Sequence, residues 1–351
     1  MACLRSLAGT GDTVSAVSPT DSILDVDLLA FEQGDERARK AVVDGVMTSL
    51  ATGFVYCATD LSETMLDEAY GMLETFFSMD QPSKERWIAP GTHGQAGYTG
   101  LLVETAATSD VPDWKEMLNW GPAIPEGHPM RRKYPHRFHD PLLPEADVPG
   151  ITEVLTEFHH RVFELQRRFL RIIALGLGAD ESFFDELVQD APVLNRAIRY
   201  PPMSTAPGES AHVWAGAHAD INLTTVLPRA TSKGLQVDVG KRGGSDETTA
   251  EWVDAAPPEG HVIINTGIML ERLSNGVVPS GWHRVVGDPE HDGERYSVVQ
   301  FCHPTPWTIL SPLPSCVGPD RPVRYAGIEA ADLLDQVLYD INLVEDARRV
   351  D

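Results

Sequence analysis

The chain has 351 residues, of which 42% are hydrophobic and 23% are charged, a composition typical of a soluble globular protein with a large core. It carries 28 Lys and Arg against 52 Asp and Glu, so its formal net charge is −24 and its field repels nucleic-acid phosphates and anionic lipids. We therefore expect neither a nucleic-acid nor a membrane partner. The four cysteines show no C-x-x-C spacing, which argues against a disulfide scaffold and favours a reducing cytoplasm.

The chain divides into three regions that differ in composition and hydrophobic pattern. Residues 1–20 are rich in small and hydroxyl side chains without an apolar run, which predicts a disordered leader. Residues 21–147 form a small N-terminal α/β region followed by pocket loops. Residues 148–351 combine a long helix, a β-rich core and a C-terminal helix. We expect the last two regions to work as one integrated unit.

The N-terminal region alternates strand and helix patterns. Its predicted elements are a strand at residues 23–28, a helix at 38–51, a strand at 53–57 and a helix at 62–79. Residues 83–147 lack sustained periodicity, so we expect irregular connections with short strands. The basic run at residues 131–133 is too short to attract a polyanion and is expected in a solvated loop.

The rest of the chain is a long helix followed by short β patterns. Residues 151–177 repeat apolar side chains at helical spacing and end at a glycine pair, which predicts a bracing helix, and residues 181–188 predict a shorter one. The predicted strands are 197–200, 223–227, 234–239, 261–265, 282–286 and 296–302, with a polar hairpin loop at 240–250 and an amphipathic helix at 328–343. Six or more such strands indicate a sandwich, jelly roll or barrel, so the predicted class is α+β with a mainly β core.

Two histidines and one aspartate are the first candidates for chemistry. His218 and Asp220 are separated by one residue, and residues i and i+2 of a strand point to the same face, so the pair can direct an imidazole and a carboxylate to one point. His283 begins another predicted strand and would add a third ligand. Two histidines and one carboxylate are the ligand set of non-haem Fe(II) oxygenases. For each histidine taken singly, a packed position in the core is the alternative.

Arg295 and Ser297 form a second pair at i, i+2 spacing, 12 and 14 residues after His283. A guanidinium pairs with a carboxylate through two charge-assisted hydrogen bonds, and a neighbouring hydroxyl can donate a further one. Near an iron ion, this pair would hold the far carboxylate of a dicarboxylic co-substrate whose 2-oxo acid end chelates the metal. The alternative is a surface ion pair between Arg295 and Asp292 or Glu294.

An ordered series of short motifs covers the β-rich region. The motifs are AIRYPP at residues 197–202, GAHADINLTTVL at 216–227, GLQV at 234–237, WV at 252–253, NTG at 265–267, SNG at 274–276, HRV at 283–285 and RYSVVQF at 295–301. In this order they resemble the isopenicillin N synthase-like branch of the 2-oxoglutarate/Fe(II) oxygenases. A weaker match at residues 23–28, 53–56 and 76–77 extends the resemblance to most of the chain from about residue 22.

The resemblance implies a fold and a metal site. The fold is a double-stranded β-helix, a distorted jelly roll, with an N-terminal α/β segment, a bracing helix and a C-terminal helix. Fe(II) would be held by His218, Asp220 and His283, the catalytic ligands, and 2-oxoglutarate and O₂ would be the co-substrates. Because Asp220 is retained, the related halogenases, which lack this carboxylate, are disfavoured.

The resemblance also assigns the co-substrate contacts. Arg295 and Ser297 match the residues that bind the C5 carboxylate of 2-oxoglutarate, and Tyr200 matches a tyrosine that helps to hold it. Two positions depart from the family pattern. Ile198 stands where plant members often carry Asn, and Ile268 replaces an acidic residue after Asn-x-Gly.

Pocket residues are predicted from their position and from the segments at residues 97–100 and 113–116, which resemble family segments near the cavity. They lie in the irregular region and just before the first ligand strand: Tyr98, Thr99, Glu104, Trp114, Asn119, His212 and Trp214. A structural role is an equal alternative for each of them. The C-terminal helix is expected to cover the pocket, as in relatives.

Taken together, the sequence predicts an Fe(II)/2-oxoglutarate-dependent oxygenase that oxidises an unactivated C–H bond of a small molecule by hydroxylation, desaturation or ring formation. Specialised metabolite biosynthesis, such as that of antibiotics, is the expected setting, and a monomer or weak homo-oligomer the expected state. An O₂-dependent non-haem iron oxidase or cyclase without 2-oxoglutarate stays open, because Arg-x-Ser occurs there too. A non-catalytic metal-binding jelly roll is the third alternative, although structural metal sites are usually closed.

Overall fold

The computed structural model describes residues 23–92, 94–105, 111–135, 137–208, 212–240, 250–287 and 292–340. The predicted leader at residues 1–20, most of the predicted loop at 240–250 and the end of the predicted C-terminal helix lie outside these residues. In the described ranges, none of the helices combines the length and the apolar character that crossing a bilayer requires.

Helices and strands alternate at first, and strands then dominate. The helices are α1 (Leu28–Gln33), α2 (Glu36–Ser49), α3 (Glu63–Phe77), α4 (Gln81–Glu85), α5 (Pro129–Lys133), α6 (Ile151–Gly176), α7 (Phe183–Val188), α8 (Ile268–Leu273) and α9 (Ala330–Asp340). The strands are β1 (Asp25–Asp27), β2 (Phe54–Ala58), β3 (Gly97–Thr99), β4 (Glu116–Trp120), β5 (Leu194–Tyr200), β6 (Ala215–Ala219), β7 (Thr224–Leu227), β8 (Leu235–Asp238), β9 (Trp252–Asp254), β10 (His261–Thr266), β11 (Trp282–Val285) and β12 (Arg295–Cys302).

The strands form two sheets that face each other. The larger sheet has the order β1-β2-β10-β7-β12-β5-β4-β3, and the smaller has the order β6-β11-β8-β9. All neighbours are antiparallel except β1 and β2. Apolar side chains of both sheets, such as Ile198, Ile263, Val237 and Val285, share one buried cluster. This arrangement confirms the α+β class with a jelly-roll core.

A long helix covers the outer face of the larger sheet. Apolar side chains of α6 recur every three or four residues, and the face that contains Phe158, Val162 and Phe169 is fully buried. Gln166 lies on the same face, donates to the backbone carbonyl of Gln300 and accepts from the Thr224 hydroxyl. The helix is therefore tied to β12 and β7, which lie at the centre of the sheet.

Three elements differ from the prediction. The strand predicted at residues 23–28 ends at Asp27, because the Asp27 carboxylate accepts from the backbone of Leu29 and Ala30 and begins α1. The basic run at residues 131–133 forms part of α5 and is not a loop. Helix α8 follows directly after Gly267 and was not predicted from the sequence, because a helix of six residues carries too little periodicity.

Candidate metal centre and adjoining cavities

His218 and His283 bring their imidazoles together across two antiparallel strands. They are direct register partners of β6 and β11, and their ring centroids lie 4.3 Å apart. The Nδ1 of His218 is 2.7 Å from the carbonyl oxygen of Gly216, and the Nδ1 of His283 is 3.1 Å from that of Gly281. With Nδ1–H donating to a carbonyl, the lone pair of Nε2 is directed into the barrel and can bind a metal ion.

The environment keeps His218 neutral. Burial, followed by the neighbouring His283, lowers its imidazole pKa to about 4. The side chain is 37% exposed, and it lines two cavities that are described below. A neutral imidazole has the lone pair that metal binding requires.

Asp220 follows the last residue of β6 and is held by two neighbouring strands. Its Oδ2 accepts from the Thr225 hydroxyl at 2.6 Å and from the Asn265 amide at 2.8 Å. Its Oδ1 lies 3.9 Å from the Nε2 of His218. Burial alone would raise the pKa of this carboxyl, but His283, His218 and the two hydrogen bonds hold it below its ordinary value. The carboxylate is thus ionised, with one oxygen directed towards the imidazoles.

The three side chains fit a divalent transition metal. One ligand atom from each lies within 4.8 Å of the other two, and no second group of this kind is found among the described residues. Two imidazole nitrogens and one carboxylate oxygen on one side of a cavity are the donors of facial Fe(II) sites with open positions. The outer atoms of all three ligands are already engaged in hydrogen bonds, which fixes their orientation.

A narrow cavity of about 70 Å³ runs between these three residues and Arg295. Arg295 is 1% exposed and begins β12. It donates to the hydroxyl of Ser297 at 3.1 Å and to the carbonyl oxygen of Ser232 at 3.2 Å. Burial lowers its pKa from an ordinary value so high that the guanidinium stays charged at neutral pH. None of the acidic side chains that the structure describes pairs with it.

Tyr200 forms the wall beside this guanidinium. It is the register partner of Arg295 in the β5–β12 pair, and the guanidinium carbon lies 5.0 Å from its ring centre. The Trp214 ring packs against Tyr200 with a centroid distance of 5.5 Å. The tyrosine is therefore fixed between a tryptophan and the arginine, where it contributes a cation–π contact.

A wide cavity of about 270 Å³ adjoins two of the metal ligands, His218 and Asp220. The two cavities share five lining residues: Lys115, Arg196, His218, Asp220 and Phe301. Apolar side chains of α9, namely Leu334, Val337 and Leu338, also line the wide cavity. The C-terminal helix thus covers it, in agreement with the prediction.

Comparisons with known proteins agree with this geometry. The family model described as the 2OG-Fe(II) oxygenase superfamily matches residues 190–304, and one described as the non-haem dioxygenase in morphine synthesis N-terminal region matches residues 23–145. Azadirone synthase of Melia azedarach is 30% identical over 273 residues, which cover 76% of this chain and 77% of that protein. The chain belongs to the 2OG-Fe(II) oxygenase superfamily.

Solved structures of this superfamily share the whole fold. A 2OG-Fe(II) oxygenase family protein from Caulobacter crescentus is 31% identical with a TM-score of 0.78, and the match covers 91% of this chain and 99% of that one. A full-length Neurospora crassa protein, solved in complex with alpha-KG, is 25% identical with a TM-score of 0.77, covering 91% and 97%. The protein is thus a 2-oxoglutarate-dependent Fe(II) oxygenase that uses Fe(II), 2-oxoglutarate and O₂.

Of the seven predicted pocket residues of this oxygenase, one lines a cavity and six do not. Glu104 lines the wide cavity. Asn119 lies behind the lining, where its Oδ1 accepts from the Nε of Arg196 at 2.8 Å and orients that arginine. Thr99 is buried on β3, and the Tyr98 hydroxyl donates to the carboxylate of Glu116.

The remaining three are held by backbone carbonyls outside both linings. The indole N–H of Trp114 donates to Pro202 at 3.3 Å, and that of Trp214 to Pro201 at 2.8 Å. The Nδ1 of His212 is 3.0 Å from the carbonyl oxygen of Pro112. The structure therefore brings Glu104 to the cavity and places the other six outside both linings, five of them buried and His212 partly exposed.

Sequence reasoning overlooked two groups at this site. Arg196 precedes Tyr200 by four residues on β5 and so lies on the same face, a period-2 signal that could have identified it. Gly53 and Gly281 form a close backbone contact, because a Cβ on Gly53 would lie 2.4 Å from the Cα of Gly281 and Gly53 has a φ of +81°. This contact fixes the carbonyl that holds His283.

Proposed function

We propose that the protein oxidises an unactivated C–H bond of a small molecule at this site. His218, Asp220 and His283 would hold Fe(II), while Arg295, Ser297 and Tyr200 would hold the distal carboxylate of 2-oxoglutarate. The substrate would occupy the wide cavity, which borders two of the metal ligands. Hydroxylation, desaturation and ring formation are the outcomes that this arrangement can support.

The observation that carries the proposal is the buried charge of Arg295, which has no acidic partner among the described residues. A guanidinium that is removed from water without a carboxylate partner is strongly destabilising, and an anionic ligand would remove that cost. The narrow cavity joins this guanidinium to the three metal ligands. A 2-oxo dicarboxylate has one anionic end for the guanidinium and one chelating end for the metal.

Each part of the chain has a separate task in this reaction. Bound Fe(II) would supply the O₂ activation. The reaction would consume 2-oxoglutarate and O₂ and would give succinate, CO₂ and the hydroxylated product, with water as a further product when an alkene or a ring forms. Thr225 and Asn265 orient Asp220, and the carbonyls of Gly216 and Gly281 orient the imidazoles. The cavity walls place the substrate C–H bond and limit access of bulk water.

A biosynthetic role in specialised metabolism is part of the proposal. It is supported by the relative named azadirone synthase and by a partly apolar cavity of a size suited to a small molecule.

An anaerobic titration tests the proposal. Fe(II)-loaded protein is titrated with 2-oxoglutarate while the weak visible metal-to-ligand charge-transfer band is followed. We expect a band in the wild type, a weaker one in Arg295→Ala, and an unchanged one in Arg86→Ala, which removes an exposed arginine paired with Asp147. Succinate release under air then reports substrate oxidation. An iron-replete wild type without the band would contradict the proposal and indicate O₂-only oxidase chemistry.

A further inference from the structure

One part of the wide cavity's lining contains four charged side chains in a single network. The ammonium of Lys115 lies 2.8 Å from the Asp113 carboxylate and 3.2 Å from that of Glu104. The guanidinium of Arg196 lies 3.4 Å from the other oxygen of Glu104. All four side chains line the wide cavity, and Lys115 and Arg196 also line the narrow one.

The network is nearly dry, and its members form ion pairs with one another. The four side chains are between 4% and 14% exposed. Although burial opposes ionisation, Arg196 and Lys115 hold the pKa of Glu104 at about 2. Glu104 and Asp113 in turn raise the pKa of Lys115 above its ordinary value. Two cations and two anions therefore face the cavity at neutral pH, and their charges cancel.

The co-substrate side of the site is balanced as well. On the proposed function, Fe²⁺ and Arg295 contribute three positive charges, and Asp220 and the 2-oxoglutarate dianion contribute three negative ones. His303, which also lines the wide cavity, stays neutral because burial lowers its pKa to about 4. Among the described residues that line the two cavities, the loaded site thus has no charge left to pair with an ionised substrate group.

This balance determines which molecules the cavity can accept. A carboxylate or ammonium that entered would lose its hydration without gaining a counter-ion, whereas an amide, hydroxyl or carbonyl could hydrogen-bond to the network. Rejection of charged analogues by an uncompensated buried charge is a recognised source of specificity. The other lining residues, including Ile268, Leu334 and Val337, suit an apolar molecular body.

We propose that the substrate enters the wide cavity as a neutral, largely apolar molecule whose polar group hydrogen-bonds to the Glu104–Lys115–Arg196 network. This inference rests on the proposed function, because the charge balance counts the bound metal and co-substrate. Glu104, Lys115 and Arg196 are then specificity-determining residues, and each single charge removed from the network should change the preferred charge of the ligand in a predictable direction.

Sets of three ligands that share a skeleton but differ in charge test the proposed preference for neutral molecules. The probes are hydrocarbon skeletons of about six to ten carbons, each prepared as the carboxylate, the primary amide and the ammonium compound. Their binding to anaerobic protein loaded with Fe(II) and 2-oxoglutarate is measured from the thermal shift. We expect the wild type to prefer the amides by at least about tenfold, which corresponds to about 1.4 kcal/mol.

Two near-isosteric variants give the neutral network a net charge of opposite sign. Glu104→Gln leaves one uncompensated positive charge and should gain carboxylates by about tenfold, while Lys115→Met leaves a negative charge and should gain ammonium compounds by a similar factor. Glu259→Gln and Lys40→Met are the matched controls, because they make the same charge changes on exposed side chains. Neither control should change the preference.

Three results would overturn the inference. The wild type could prefer ionised probes, or none of the amides could bind to it. Alternatively, Glu104→Gln and Lys115→Met could change the affinity for carboxylates and ammonium compounds in the same way. The charge-transfer titration separates this inference from the proposed function. A normal band combined with a preference for ionised probes rejects neutral-substrate selection alone, whereas a missing band rejects the proposed function itself.

Discussion

His218 and His283 are 65 residues apart in the sequence, yet they are direct cross-strand partners with ring centroids separated by 4.3 Å. A metal ion bound between them would therefore cross-link β6 and β11, with Asp220 as the third ligand. Ligands that bind only the folded state raise its stability. This relationship connects the chemistry of the site with the stability of the smaller sheet.

Removal of a metal ligand should abolish both metal binding and the stabilisation that the metal provides. We expect His283→Ala to weaken Mn(II) or Fe(II) binding by at least about 100-fold and to remove the metal-dependent rise in melting temperature. Calorimetric titration and thermal unfolding measure the two effects. His261→Ala is the matched control, since it also removes a strand histidine but lies at the start of β10. Equal metal affinity in His283→Ala and the wild type would exclude this site.

The two side chains that hold Asp220 should influence metal affinity without touching the metal. Thr225→Val and Asn265→Leu each remove one hydrogen bond to Oδ2, so the carboxylate loses its fixed orientation. We expect metal binding to weaken by about 10- to 100-fold in each variant. Thr225→Ser keeps the hydroxyl and should retain most of the affinity. If valine and serine have the same effect, packing and not the hydrogen bond is responsible.

Arg295 should determine which 2-oxo acid is used. Arg295→Gln removes the charge opposite the distal carboxylate, and we expect the KM for 2-oxoglutarate to rise by at least about 30-fold, equivalent to about 2 kcal/mol. The wild type should discriminate against 2-oxopentanoate, which lacks the second carboxylate, and the variant should lose this discrimination. Steady-state CO₂ release measures both, since 2-oxoglutarate yields CO₂ and succinate whereas 2-oxopentanoate yields CO₂ and butanoate. Discrimination that survives in Arg295→Gln would contradict the assigned contact.

A buried ion network should contribute strongly to stability. The Glu116 carboxylate is fully buried, accepts from the ammonium of Lys84 at 2.6 Å and also pairs with Arg199. We expect Glu116→Gln to lower the free energy of unfolding by about 3–5 kcal/mol, because it leaves the buried Lys84 ammonium without a carboxylate and Arg199 with Glu294 alone. Lys84→Met should cost less, since Arg199 still pairs with Glu116. Urea denaturation measures both, and the reverse order would show that Arg199 does not compensate.

Buried His159 should make stability depend on pH. Burial, with a smaller contribution from His160, lowers its pKa to about 4, and its Nδ1 is 2.7 Å from the Asn195 amide. The unfolded chain takes up this proton near pH 6.5 and the folded chain only near pH 4. Stability should therefore fall as the pH is lowered through this window, by about 3 kcal/mol at most.

Comparison of His159→Gln with the wild type isolates this contribution from that of the carboxylates. The variant should lose this part of the slope between pH 6.5 and 4, measured as the free energy of unfolding in urea. His160→Gln, which alters an exposed neighbour, should keep most of it. If the stability of His159→Gln depends on pH as steeply as that of the wild type, another group takes up the proton.

The sequence by itself determined the fold class and the type of metal site. Strand and helix patterns are local, and on a strand the spacing of His218 and Asp220 directs two donors to one face. The ordered motifs connected these residues with His283, Arg295 and Ser297. Short elements such as α8 escaped detection, because six residues are too few for a helical period to be recognised.

Tertiary structure decided what surrounds these residues. The hydrogen bonds from Thr225 and Asn265 to Asp220 join strands β7 and β10 to the end of β6, and no local pattern relates these positions. The network of Glu104, Lys115 and Arg196 likewise joins a loop after β3 to β5. Most predicted pocket residues lie in packed layers because position in the sequence does not determine the direction of a side chain. Burial and charge compensation are properties of the assembled sheets, and they determine what the cavity can bind.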